Sequence, residues 1–561
     1  MKKTKWINNL MACFAMIAIS AAIVFPLVGC KSKVRTLNID FEIACEQVGE
    51  EQFVNVSWDT DANVDAVLVN VVRNGEIEYT QTVTSASALV AHKTVVPAFY
   101  GKHTIEVSLI KGIRTTEVVS KEVALSASEY NIAPLVATLP VTVFALSLDE
   151  ITDGGRIPTF VWLQRAKAWN YSELPENVYV VPTATEEQIT ASKTNGVLEG
   201  VDMYGITAQW IKELYEINKN SIFHLYYNDF WPAGWLDATI AKGIPAANYN
   251  VVLLSDGTGT YSQFKKNFNN DNFEAKYEEM LAQYETLKQE YVDGVKNKSI
   301  TGSQLGQYAY VMTKAEENVE WWINRYSGTM ATSGTDLYNE FESLKTAGKI
   351  KLFNLGNLLS AMTDAEKAQI KKLYHFGDEM FDYAKQNDKK IMIILGTSPA
   401  GEVGFDEYFN ALKLYYGDEY AYYYKGHPGY PSDEAKQAKF EEMGLLELDG
   451  SIAAELIFFF NPEAFGSGYQ STTFQSLENE QCEALFNVRK ENFSQSYKDK
   501  INLFMSKVES SDETYGSLVT DTDQYLLQIE NSEAYDVAIY DASENALTYY
   551  RLQDAEYVKV A

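Results

Sequence analysis

The feature that most constrains this chain is a change of period near residue 139. Upstream, from Thr36 to about Ala127, short runs alternate apolar and polar side chains, with turn residues between them. Phe53–Trp58, Ala66–Val72 and His103–Leu109 are such runs, and Asn74-Gly75 marks a hairpin. A period of two buries one face of a strand, so this part reads as all-β and antiparallel. Downstream, apolar runs of strand length alternate with long amphipathic stretches. Val141–Leu146, Val178–Val181, Ile222–Tyr227, Val251–Leu254, Lys390–Leu395 and Tyr420–Lys425 read as strands. Ile206–Ile217, Phe273–Val292, Gln304–Ile323, Asp336–Thr346, Phe405–Tyr415, Ser451–Phe460 and Gln470–Glu480 read as helices. Alternating β and α predicts parallel sheets with helices on both faces, and two such runs predict two lobes with a cleft between them.

The expected organisation is therefore a targeting segment over 1–29, a tether over 30–35, and a β-sandwich over 36–127. A linker with Pro134 follows over 128–138, then a first α/β lobe with a helical connection over 139–388 and a second α/β lobe over 389–561. About seven strands with Trp58 as a core tryptophan suit an immunoglobulin-like or fibronectin-like sandwich. Nothing in that part looks catalytic.

At the N-terminus Lys2, Lys3 and Lys5 precede an apolar stretch from Leu10 to Val28, which ends in Leu27-Val28-Gly29-Cys30. This resembles a bacterial lipoprotein signal, in which cleavage before Cys30 frees its thiol for a lipid. The expected location is extracytoplasmic, anchored to a membrane through Cys30; the competing reading is an uncleaved membrane anchor. Cys13 leaves with the signal. Cys45 and Cys482 are far apart, so neither a disulfide framework nor a thiolate metal site is expected. The five histidines (92, 103, 224, 375 and 427) show no paired spacing, and neither a metal nor a cofactor is predicted. With 47 Lys and Arg against 77 Asp and Glu, the formal charge of −30 repels phosphate backbones and argues against nucleic acid as a partner.

Three features fall at strand ends, where α/β sheets bind ligands. Val251–Leu254 runs into Ser255-Asp256-Gly257, an acid held at a sheet edge or simply a turn. Tyr420–Lys425 runs into Gly426-His427-Pro428-Gly429, where Lys425 and His427 are two potential cations beside glycines that admit a ligand. Gln470-Ser471-Thr472-Thr473 places adjacent hydroxyls where a helix is expected to start, as a cap or as an anion site.

Together these resemble the bacterial sialyltransferases of glycosyltransferase family 80, the Photobacterium and Pasteurella type. That family carries an acidic-acidic-Gly motif after a strand, a Lys-Gly-His-Pro motif, and a later Ser-Ser pair. Ile394–Ser398 is similar to its Gly-Thr-rich strand end, and Ser451–Leu456 to its Ser-Phe-Glu-Val-Leu segment. The resemblance spans roughly 139–545, and some members also carry an immunoglobulin-like domain behind a lipoprotein-like signal. It implies an α/β fold of GT-B type, two Rossmann-like lobes with acceptor on the first and nucleotide on the second. The implied reaction is inverting transfer of sialic acid from CMP-sialic acid to a galactoside acceptor, without metal. The resemblance matches Asp256 to the family's second acid, followed by Gly257; the first acid, which the family uses as its base, is Ser255 here, so the expected catalytic base is Asp256 as the nearest carboxylate, with Asp229 as its rival. His427 would stabilise the departing phosphate, flanked by Lys425, Gly426 and Pro428. Glu455 would hold the ribose, Ser471 and Thr472 the phosphate, and Gly396 and Thr397 would line the nucleotide. Pro399-Ala400-Gly401 stand where the family has an acceptor-stacking Trp. Two other readings stay open: a surface lipoprotein that binds glycans or small molecules without turnover, and a transferase for another CMP-activated keto-sugar such as Kdo.

Overall fold

The computed structural model describes residues 36–560 apart from 164–168, 183, 186, 189–201, 269–271, 301–305, 325, 327–329, 400–401, 403–404, 469–470, 472, 474–481, 487–523, 530–533, 536 and 554–555. The signal-like segment, Cys30, Thr472 and nearly all of the helix expected over 470–480 lie outside the described residues. The chain divides between Ser126 and Ala127 into two compact units.

The first unit is all-β. Its strands are β1 (Glu42–Gln47), β2 (Phe53–Asp59), β3 (Ala66–Arg73), β4 (Glu76–Val83), β5 (Lys93–Pro97), β6 (Gly101–Lys111), β7 (Arg114–Thr115) and β8 (Val119–Leu125). They pair antiparallel in two sheets, β1-β2-β5 and β4-β3-β6-β7, with β8 also on β6. Alternate residues are buried as the period of two requires: Val54, Val56 and Trp58 on β2, and Ile105, Val107 and Leu109 on β6.

The second unit holds two parallel sheets. In the first lobe the strands are β9 (Glu129–Leu135), β10 (Thr159–Leu163), β11 (Val178–Val180), β12 (Ile222–Asn228), β13 (Tyr249–Leu254), β14 (Val319–Ile323) and β15 (Ile350–Leu352). Their order is β11-β10-β9-β12-β13-β14-β15, all parallel, so the direction of winding reverses between β9 and β12. In the second lobe they are β16 (Lys390–Leu395), β17 (Tyr420–Lys425), β18 (Leu446–Leu448), β19 (Ala464–Gly468) and β20 (Cys482–Phe486), ordered β18-β17-β16-β19-β20 and reversing at β16/β19. Four antiparallel strands between Gln524 and Lys559 extend that sheet beyond β20. Each reversal opens a crevice at the carboxyl ends of the central strands. On β16 the faces divide cleanly: Ile391, Ile393 and Leu395 enter one apolar cluster, Met392 and Ile394 another. The helix Ala454–Phe460 ties the lobes together. Leu456 joins the first lobe's core with Val143, Leu355 and Leu359, while Ile457 and Phe458 join the second lobe's core.

Three expectations need correction. The segment expected as a linker, 128–138, holds β9, a central strand of the first sheet. Pro134 misled because a central strand rarely tolerates it; here pairing with β12 stops at Ile132, so Pro134 lies beyond that ladder. Val141–Leu146, expected as a strand, belongs to the helix Thr138–Leu146, in which every residue from Leu139 to Leu146 is buried. A helix buried all round loses its amphipathic period and mimics a strand. The single helix expected over 304–323 is the helix Tyr308–Ala315 followed by β14. Strands β10, β14, β15 and β19 were not anticipated.

Candidate active site

On the first lobe, β12 and β13 end side by side, Asn228 opposite Leu254. Asp229 follows one and Ser255-Asp256-Gly257 the other. Gly257 takes φ +93°, a left-handed conformation that turns the chain from the strand into the helix Thr258–Phe268 at little cost for glycine. Asp229 is 0% exposed. Its Oδ1 accepts from the Asp256 backbone N–H at 2.8 Å and from Thr260 Oγ1 at 2.7 Å; its Oδ2 accepts from Trp321 Nε1 at 2.9 Å. Burial pushes its carboxyl up to about 7, against the opposing pull of those three donors. A carboxylate so enclosed does not meet a substrate hydroxyl, which corrects its reading as substrate-binding or as rival base. Asp256 is half-buried on the same turn, and its charge adds to burial in raising the Tyr204 hydroxyl. Ser255 is buried; its Oγ donates to Tyr261 Oη at 2.8 Å and accepts from Gly257 N–H at 3.1 Å, so its hydroxyl is spent inside the fold.

On the second lobe, β16 and β17 end together, and Gly396 N–H donates to the Lys425 carbonyl at 3.0 Å. A Cβ at Gly396 would strike Tyr424 Oη and Glu402 Oε1, so only glycine admits them. Glu402 also accepts from Thr397 N–H at 2.9 Å and pairs with Lys436 at 2.7 Å. Lys425 is 3% exposed, and its Nζ donates to the carbonyls of Gly426 and Gly450, each at 2.9 Å. Burial lowers it to about 8, while Glu455 and Asp449 favour its charge. Lys425 therefore braces two turns rather than reaching for a phosphate, a correction to its expected contact. His427 is exposed on the turn beyond, with Pro428 and Gly429 half-buried after it. Its Nδ1 accepts from Gly429 N–H at 3.0 Å, which in the neutral ring leaves the proton on Nε2. Tyr430 lies 5.2 Å away, ring to ring.

Glu455, in the first turn of the helix that joins the lobes, is 6% exposed and accepts from Thr473 Oγ1 at 3.0 Å. Thr473 in turn accepts from Ser471 Oγ at 3.0 Å. Burial raises Glu455, while its own backbone N–H, Thr473 and the Lys425 charge lower it. Burial pushes the hydroxyl of Tyr374 up to about 12, with the Glu455 charge adding to it; that hydroxyl donates to Thr142 at 3.4 Å on the helix after β9. That helix leaves the first lobe's switch point, where Val136 N–H donates to Asn228 Oδ1 at 3.2 Å.

The structure thus gathers the expected residues into two groups, Asp229, Asp256 and Gly257 on one lobe, and Gly396, Thr397, Lys425, Gly426, Glu455 and Ser471 on the other, with His427 and Pro428 on the turn beyond. Sequence reasoning gave Thr473 no role of its own, although it closes the hydroxyl run Ser471-Thr472-Thr473. It also missed Thr260, Trp321, Glu402 and Lys436, for which no local signal exists.

No protein-family model matches the chain, and no curated protein matches it. Among solved structures it is similar to a 2,6-sialyltransferase from a Photobacterium species in complex with CMP and lactose. The identity is 12%, the coverage 77% of this chain and 86% of that one, and the TM-score 0.49. A sialyltransferase from Photobacterium damsela is similar at 13% identity, 78% and 89% coverage and TM-score 0.46. A galactoside α-2,3-sialyltransferase from Photobacterium phosphoreum is similar at 14% identity, 65% and 93% coverage and TM-score 0.47. At such scores the chemistry has to be argued from this chain's own side chains.

Proposed function

We propose that the chain is an inverting sialyltransferase, moving sialic acid from CMP-sialic acid to a galactose-containing acceptor. The observation that carries this reading is the linked set on the second lobe. An exposed imidazole, His427, stands on the turn after β17, a Glu455–Thr473–Ser471 hydrogen-bond chain lies in the same lobe, and a half-buried carboxylate, Asp256, sits at the strand ends of the other lobe. In this reading Glu455 takes the ribose hydroxyls and Ser471 the phosphate. His427 stabilises the negative charge that grows on departing CMP. Asp256 takes the proton from the attacking sugar hydroxyl. One displacement at the anomeric carbon inverts its configuration. Anchoring through a lipidated Cys30 outside the cytoplasm belongs to the same proposal and rests on the sequence of residues 1–30.

One observation favours a second reading. Ser255 stands where the resembling family has its first acid, and its hydroxyl is spent on Tyr261. A chain without that acid could hold a sialylated or CMP-bearing ligand without turning it over. Incubation of the purified chain with CMP-sialic acid and lactose separates the two. Equimolar CMP and a sialylated lactose support the transferase. Recovery of the donor intact, with ligand bound, supports the binding protein.

A further inference from the structure

We propose that Asp229, together with Asn228, is the positioning residue of the first lobe's site: a buried clamp that sets the height and direction of the Asp256 turn. The inference rests on Asp256 being the base. Asn228 and Asp229 are the two residues at which β12 ends and its turn begins, and between them they reach every neighbouring strand end. Asn228 Oδ1 takes the N–H of Val136, just past β9. Asp229 N–H donates to Leu254 O, the last residue of β13, at 2.9 Å. The Asp229 carboxylate then takes the N–H of Asp256 itself, the hydroxyl of Thr260 in the first turn of the following helix, and the indole N–H of Trp321 on β14. Asn228, Asp229 and Thr260 are all 0% exposed.

An apolar residue here would leave the Asp256 N–H, the Thr260 hydroxyl and the Trp321 indole without an acceptor, so the carboxyl group is what joins these three elements. The carboxyl group stands where three donors converge, and one of them is the backbone N–H of the residue whose own carboxylate must be aimed. Rotation of that one peptide would swing the Asp256 side chain. Displacements near 1 Å at a reacting group cost on the order of 100-fold in rate.

The test uses the full chain and three variants: Thr260→Val, Thr260→Ser and Asp229→Asn. The readouts are CMP release from CMP-sialic acid with lactose, and CMP affinity by titration. Thr260→Val is nearly isosteric and removes one donor. It is expected to lower kcat about 10-fold, with donor KM and CMP affinity unchanged. Thr260→Ser, which keeps the hydroxyl, is expected to stay within about 2-fold of the parent in kcat. Asp229→Asn is expected to lose more than Thr260→Val. Parental kcat in Thr260→Val overturns the clamp while leaving the transferase reading intact. So does an equal loss in the Ser variant, or a loss confined to donor KM. A parent chain that releases no CMP overturns both, since there is then no base to position.

Discussion

On the first lobe the ionisable group is locked inside the fold. Asp229 has no exposed surface, three donors converge on it, and the turn it holds carries Asp256 half into the open. On the second lobe the arrangement is turned outward. Lys425 and Glu455 are buried, but they brace turns and hydrogen-bond chains, and the imidazole of His427 stands exposed at the tip. The contrast suits the two tasks proposed. A base that takes one proton from one hydroxyl must be aimed, and rigidity aims it. A group that follows charge onto a departing phosphate must reach the ligand from a surface. The comparison also says where mutations should be silent on stability and where they should not.

The largest effect is expected at Asp256. Asp256→Asn should lower kcat by about 100- to 10,000-fold, with CMP binding unchanged, since the groups proposed to hold the nucleotide lie on the other lobe. Turnover near the parent's would remove the carboxylate from the mechanism and leave the first lobe with no chemical role. Next, His427→Ala should cost about 100- to 1,000-fold in turnover. Because the ring is exposed, its melting temperature should stay within about 1 °C of the parent's. A drop of several degrees would mean that the turn is structural, and the contrast between the lobes would fail.

Smaller effects sharpen the buried half of the comparison. Lys425→Met should destabilise by about 2–3 kcal/mol in denaturant titrations, as two turn carbonyls lose their donor. For Asp229 the sign follows from its raised carboxyl, about 7 folded against 3.8 as the ordinary value. Its contribution is fully present below about pH 4 and is lost as pH rises through 7. A shift of that size corresponds to about 4 kcal/mol across the window. Folding stability of the parent minus that of Asp229→Asn should therefore fall between pH 4 and 7, and a flat difference would show that Asp229 is ionised throughout.

Much of this was legible in the sequence, and the reasons differ by element. Strands β12, β13, β16 and β17 could be read because an apolar run ends on a turn with chemistry in it, Asn228-Asp229, Asp256-Gly257, Gly396-Thr397 or Gly426-His427. The helix Thr138–Leu146 could not, since burial on every side erases the period that marks a helix. Central strand β9 was hidden by Pro134, and only the register with its neighbours explains how proline fits. Among site residues, Asp256, His427, Glu455 and Ser471 stand in short motifs. Trp321 is 92 residues from the carboxylate it serves, and Glu402 holds Thr397 through a turn with no motif. Such partners are set by which strands become neighbours, a property of the whole sheet rather than of any window along the chain.

A structure of the protein soaked with CMP tests the central claim most directly. The account predicts one nucleotide on the second lobe, its phosphate within hydrogen-bond distance of His427 Nε2 and Ser471 Oγ, its ribose on Glu455, and its open side toward Asp256. CMP bound on another face, or a second lobe left empty at saturating nucleotide, would contradict it.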